Sequence, residues 1–317
     1  MRRFVLTVLA AAMLIACGPG KKTQAPKATT RDFPKLDVPV MITEPQERMV
    51  WVCNHMWDRF TATDKLYYCD SVTVNGVKLD ALESQMGAFA TLLRQVPLEE
   101  GQKAVAAWYN ALDAFQRAFP ESNMLPQMTA VTTHYLYEPN SPVRNEDLYL
   151  PFVERLAASD LIDPDYRAGY AWDAQKCALN PTGSVAADFE FIDISGKKRT
   201  LHSIKAERLL LIFGNPDCHA CKEIMETLEN IPPLEDLITS GSLKVVDIYI
   251  DEDIELWKAK SATYPSTWIN GYDPNYTIRG DMLYNIRAIP SVYLLDAEKR
   301  VLLKDTTTED AVEALLY

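Results

Sequence analysis

Apolar residues along this chain follow two different patterns, and the change falls near residue 180. From about residue 43 to 179 the repeat is helical. Thr43-Glu44-Pro45-Gln46 reads as a capping box with an early proline, and Met49, Val52, Met56 and Phe60 follow at spacings of three and four. Leu82, Met86, Phe89, Leu93 and Val96 repeat the stripe before Pro97, and Val105, Trp108, Leu112, Phe115 and Phe119 repeat it before Pro120. Leu148, Phe152 and Leu156 mark a further helix, and Tyr166, Tyr170 and Ala174 a last one. Such spacing puts each set on one helix face, so the stripes read as core. Asn180-Pro181-Thr182-Gly183-Ser184 then breaks the chain. Beyond it, Phe189 to Asp193 alternates, Ser195-Gly196-Lys197 turns, and a short strand runs to Leu201. Strands are predicted at 208–213, 243–250, 291–295 and 301–304. Helices are predicted from the cysteine pair to Glu229, over 253–261, and from Thr308 to the end. The expectation is an all-α domain over 37–180 and an α/β domain over 185–317, the latter a mixed central sheet flanked by helices.

The amino terminus has its own pattern. Arg2 and Arg3 precede an apolar run that is too short to span a membrane and ends in small residues, the order of a secretory signal. Leu14-Ile15-Ala16-Cys17 looks like a bacterial lipobox, which implies a signal over 1–16 and a lipidated Cys17 as first mature residue. Residues 17–36, rich in Lys, Thr, Pro and Gly, read as a flexible tether. The expected location is the cell envelope, lipid-anchored to a membrane and facing the periplasm or on the outer membrane. Formal net charge is -12, and loss of the signal removes two arginines and no acid. An acidic surface of this kind excludes electrostatic attraction to nucleic acid or to anionic lipid.

Setting Cys17 aside, the cysteines are Cys53, Cys69, Cys177, Cys218 and Cys221. Cys53 and Cys69 could bond each other or be small buried apolar groups, and Cys177 could be inert or a redox partner. Cys218 and Cys221 differ in context. The apolar run Leu209–Phe213 passes into Gly214-Asn215-Pro216-Asp217, and the two sulfurs open the following helix. Free N–H groups at a helix amino terminus favour a thiolate at the first sulfur, and the second lies one turn further in, within reach of a disulfide. Zinc would need two more ligands, and no second pair of cysteines exists, so no metal site and no cofactor beyond the Cys218–Cys221 disulfide are expected. Asp217 opposes a thiolate through like charge, Lys222 could offset it, and His219 could support it when protonated. Glu223 is a further candidate modulator. His55 and His134 have no partners at ligand spacing.

These residues resemble a thioredoxin fold, and within it the TlpA/ResA-type branch of envelope thiol-disulfide oxidoreductases. The cysteine pair after a strand is one mark, the hairpin over 188–201 another, and Arg287-Ala288-Ile289-Pro290-Ser291-Val292 a third. The last resembles the segment in which a cis-proline faces the cysteines. The resemblance covers about residues 185–317. It implies that Pro290 is cis and that the backbone of Ile289 pairs with an extended substrate. The helical half, with Trp57-Asp58 and the run Glu138 to Glu146, resembles an uncharacterised domain found ahead of thioredoxin domains in Gram-negative lipoproteins. Three positions depart from the family. Asp217 stands where Trp usually precedes the first cysteine. Ile212 replaces the buried acid of thioredoxins, and Ile224 replaces the glutamate of the ResA-like branch, with Glu223 and Glu226 displaced to either side. The proton acceptor for Cys221 is therefore left open.

The function expected is disulfide exchange, with Cys218 attacking and Cys221 resolving, running as a reductant of exported proteins and recharged by a membrane-side electron donor. A peroxidase reading wants Thr or Ser three residues before the nucleophile, where Asn215 stands. A structural disulfide is one alternative. The other is an interaction lipoprotein whose helical domain binds a partner while the thioredoxin-like half is scaffold.

Overall fold

The computed structural model describes residues 30–317, so Cys17, the expected signal and most of the expected tether lie outside the described residues. Six helices make up the first half: α1 (Pro45–His55), α2 (Leu79–Leu93), α3 (Leu98–Ala118), α4 (Met124–Leu136), α5 (Glu146–Ala158) and α6 (Pro164–Cys177). A two-stranded hairpin, β1 (Thr73–Val74) and β2 (Val77–Lys78), sits between α1 and α2. Its turn is Asn75-Gly76 with both residues at positive φ, the geometry that two-residue hairpins favour. The predicted stripes of α2, α3 and α5 are buried in one core that also takes in Trp57, Met128 and Cys177.

Three expectations for this half change. Glu44 caps α1 without any side-chain hydrogen bond, so the capping box is not formed, although Pro45 does sit in the first turn. The helix stops at His55, and Met56 and Phe60 reach the core from the turns that follow. Tyr166 is exposed on α6, a helix whose only fully buried residue is Cys177. Helix α4 was not predicted. Its buried face mixes Thr129 and Thr132 with Met124, Met128 and Val131, and this weakens the apolar stripe.

The second half is a seven-stranded sheet. Its strands are β3 (Glu190–Asp193), β4 (Lys198–Thr200), β5 (Arg208–Gly214), β6 (Leu243–Tyr249), β7 (Ile269–Tyr272), β8 (Ser291–Asp296) and β9 (Val301–Thr306), in spatial order β4-β3-β7-β6-β5-β8-β9. Central β5 runs parallel to β6 and antiparallel to β8, and β6 runs parallel to β7. Five helices accompany the sheet: α7 (His219–Glu229), α8 (Pro232–Ser240), α9 (Ile254–Lys260), the short α10 (Thr277–Gly280) and α11 (Thr308–Leu316). Strand β5 alternates faces. Leu209, Leu211 and Phe213 pack with Phe191, Tyr284 and Tyr293 on one side. Leu210 and Ile212 pack with Ile224, Leu228, Leu234 and Ala311, from α7, α8 and α11, on the other. Both faces are covered, which is why this strand reads as an unbroken apolar run. Strand β7, which is not apparent in the sequence, joins the β3–β4 hairpin to β6.

The halves meet through buried charge. Arg144 donates to the carbonyls of Asp305 (3.0 Å) and Thr306 (2.9 Å) on β9. Glu146, at the start of α5, lies 2.9 Å from Arg287 and 3.2 Å from Lys304, and accepts from Asn285. Lys304 also donates to the Cys177 carbonyl at 2.5 Å. Glu146 and Lys304 are almost fully buried, as is the side chain of Arg287.

Candidate functional site

The turn ahead of α7 is built by Asn215. Its carbonyl accepts from the Cys218 N–H (3.0 Å), its side-chain oxygen accepts from the Asp217 N–H (2.8 Å), and its amide donates to Asp251 (2.6 Å). The turn delivers Cys218 to the N-cap of α7, where its Sγ accepts the Cys221 N–H at 3.4 Å. One backbone donor is thus in place for negative charge on that sulfur. Cys218 is half-buried and Cys221 nearly fully buried. Both are free thiols. The Ile289–Pro290 bond is cis, and the Ile289 carbonyl lies 3.7 Å from Cys218 Sγ, which donates to it. The strand end, helix start and proline segment that are separate in sequence therefore meet at one sulfur.

Burial pushes the Cys221 thiol far above its ordinary range, reinforced by the hydrogen bond with Cys218, while the Asn215 N–H opposes the shift. Cys221 stays protonated until something takes its proton. Asp247 is placed to do so, and sequence reasoning missed it. It lies on β6 in register with Ile212, so the neighbouring strand supplies the acid that position 212 lacks. A Cβ on Gly214 would lie 3.4 Å from Asp247 Oδ2 and 3.5 Å from Cys221 Sγ, so both groups stand over that glycine. Burial raises the Asp247 carboxyl to about 7, with the Tyr264 hydroxyl pulling the other way. Its Oδ1 has no hydrogen-bond partner among the described residues. The only sequence signal was one acid inside the apolar run Val245-Val246-Asp247-Ile248.

The other candidates are peripheral. Asp217 pairs with Lys260 of α9 rather than being offset by Lys222, which is exposed. His219 is 89% exposed and lies 3.3 Å from Glu223, which also faces solvent, so Glu223 is not the acceptor for Cys221. Cys53 and Cys69 are not bonded to each other. Burial raises the Cys53 thiol to about 11, and Cys69 Sγ accepts from the Asn75 N–H at 3.3 Å. Burial also raises the Cys177 thiol, beneath the interdomain charges and remote in sequence and core from the pair. His55 pairs with Asp58 and His134 with Glu138 at the surface. No metal-ligand cluster occurs among the described residues.

Fold and site together define a thioredoxin-like domain with a Cys-x-x-Cys pair facing a cis-proline, preceded by a helical region. A thioredoxin-like protein from Bacteroides caccae is 32% identical, covers 91% of this chain and 99% of its own, and superposes with a TM-score of 0.78. This chain belongs to the family of that thioredoxin-like protein. Residues 17–172 match a family described as a domain of unknown function, DUF5106. The C-terminal domain of an uncharacterized protein from Bacteroides fragilis is 40% identical over 44% of this chain and 99% of its own, with a TM-score of 0.43. The thioredoxin domain of a thiol-disulfide oxidoreductase from Bacteroides vulgatus is 22% identical over 43% of this chain and 99% of its own, with a TM-score of 0.38. No curated protein matches the chain.

Proposed function

We propose that this protein is a TlpA/ResA-type thiol-disulfide oxidoreductase of the cell envelope that reduces disulfides in exported proteins. The observation that supports this best is the asymmetry of the two sulfurs. Cys218 is half-buried at a helix mouth beside the Ile289 carbonyl, and Cys221 is sealed behind it next to a carboxyl poised near neutrality. The Cys218 thiolate attacks one sulfur of the substrate disulfide, forming a mixed disulfide and expelling the first substrate thiolate. Asp247 takes the Cys221 proton. The Cys221 thiolate attacks Cys218 Sγ, the second substrate thiolate leaves, and two electrons have passed from the dithiol to the substrate. A carboxyl that titrates near 7 can accept that proton and return it at neutral pH. The Cys218–Cys221 disulfide is recharged by a dithiol donor on the membrane side. Lipidation of Cys17 holds the chain at the membrane, as the Leu14-Ile15-Ala16-Cys17 motif supports.

Reduction of a model peptide disulfide tests the chemistry. We expect Cys218→Ser to abolish turnover and Cys221→Ser to accumulate mixed disulfides through Cys218. Full activity in Cys218→Ser would refute Cys218 as the nucleophile, and no adduct in Cys221→Ser would favour a scaffold. Intact mass of protein extracted from membranes tests the anchor, which requires a mature chain beginning at a lipid-modified Cys17.

A further inference from the structure

The groove beside the cysteines is not made by the thioredoxin-like half alone. A groove of about 390 Å³ runs between α7, the segment holding Pro290, the start of α11, and the turn from Pro139 to Arg144 of the helical half. Asn140 and Pro142 are exposed on that turn, and the helix wall opposite presents Glu223 and Thr227. Ile289, half-exposed on the floor, has an N–H that makes no backbone hydrogen bond among the described residues. The helical half also fixes the floor. Arg287, two residues before Ile289, lies 2.9 Å from Glu146 and 4.2 Å over the Tyr137 ring. Exposed charge in the groove is one-sided. Arg144 is consumed by Asp305 and three carbonyls, whereas Glu223 and Glu309 remain exposed.

Resting on the proposed reductase reading, in which an extended substrate pairs with the Ile289 backbone, we infer that the helical half forms the specificity wall of that groove. The occupant is an extended segment of a disulfide-bonded polypeptide. Its backbone lies along Ile289, its disulfide reaches Cys218, and a basic residue beside its cysteine sits between Glu223 and Glu309. Shape and charge both support this: the groove is lined from both halves, its floor holds a backbone donor with no backbone partner among the described residues, and Glu309 and Glu223 are exposed beside it, Glu223 paired only with the exposed His219. A small disulfide needs only Cys218, whereas a chain must also pass the 139–144 turn.

The test uses the full chain with dithiothreitol as recharging dithiol. Three substrates are compared: a small symmetrical disulfide, and two peptide disulfides that differ only in Lys or Glu beside the cysteine. We expect the Lys peptide to be reduced at least fivefold faster than the Glu peptide, and Glu223→Gln with Glu309→Gln to remove that preference. Asn140→Trp, which fills the groove from the helical side, should lower the ratio of peptide to small-disulfide rate at least tenfold. Circular dichroism and the small-disulfide rate report whether the variant has folded. Equal rates for the two peptides in wild type, or peptide and small-disulfide rates that change by the same factor in Asn140→Trp, would overturn the inference while leaving the reductase reading intact. Inactivity of wild type on all three substrates would instead overturn the reductase reading, and this inference with it.

Discussion

Asp247 shows how one buried side chain links stability to chemistry. Its carboxyl is raised to about 7 in the folded chain by burial, against an ordinary value near 4 when unfolded. A group raised in this way supports the fold fully below its unfolded value and loses that support as pH climbs through its folded value. Stability should therefore fall between about pH 4 and pH 8, by up to about 4 kcal/mol as a ceiling. Asp247→Asn should flatten that fall, with a higher melting temperature than wild type at pH 8 and little difference at pH 4. The same substitution should slow resolution of the mixed disulfide about 10²-fold at pH 7 while leaving attack by Cys218 largely intact, measured by stopped-flow thiol release. A variant whose melting temperature tracks wild type at every pH would remove Asp247 from the site. Cys218, Cys221, Ile289 and Pro290 were legible because they lie in short local patterns. Asp247 was not, because only the register of β6 against β5 brings it beside Cys221, and a register is not written in any one segment.

At the scale of elements, the readable ones were those whose burial is periodic. Helices α2, α3 and α5 each bury a regular stripe, strand β5 is buried on both faces as one unbroken apolar run, and the sequence showed all four. Strand β7 buries Asn270 and Gly271 at its centre, neither of them a strand-forming residue, and so it carried no signal. Gly271 has a packing reason to be there. A Cβ at that position would fall 2.5 Å from the Phe191 ring and 2.8 Å from the Ile192 carbonyl. Gly271→Ala should therefore push the β3–β4 hairpin off the sheet at a cost of about 1–3 kcal/mol, measured by urea denaturation. Gly214→Ala meets only ordinary contacts at 3.4 Å and beyond and should fold. An unchanged midpoint for Gly271→Ala would contradict the close approach of β7 and β3. The Asn75-Gly76 hairpin was missed, although Asn-Gly is a turn pair, because its two-residue strands are too short to interrupt the helical repeat of that half.

For the whole molecule, the sequence separated two grammars but could not say how the halves touch. The contact depends on Arg144, Glu146, Arg287, Lys304 and Asp305, charges that look like ordinary surface residues until they meet. Removing one member of such a buried network leaves the others uncompensated. Glu146→Ala should cost about 3–5 kcal/mol and should loosen the proline segment through Arg287. Both effects can be followed together, as a lowered melting temperature and faster amide exchange over residues 285–291; loss of neither would make the network incidental.

Disulfide exchange by this chain requires Cys218 and Cys221 to cycle as a couple. Its most direct test is a redox titration of the full chain in dithiothreitol buffers, with acid quench, thiol labelling under denaturing conditions and mass spectrometry of the cysteine peptides. We expect Cys218 and Cys221 to lose label together in a single two-electron transition, while Cys53 and Cys177 stay labelled throughout. A pair that keeps its label across the whole range, or a 218–221 disulfide that excess dithiol fails to open, would contradict it.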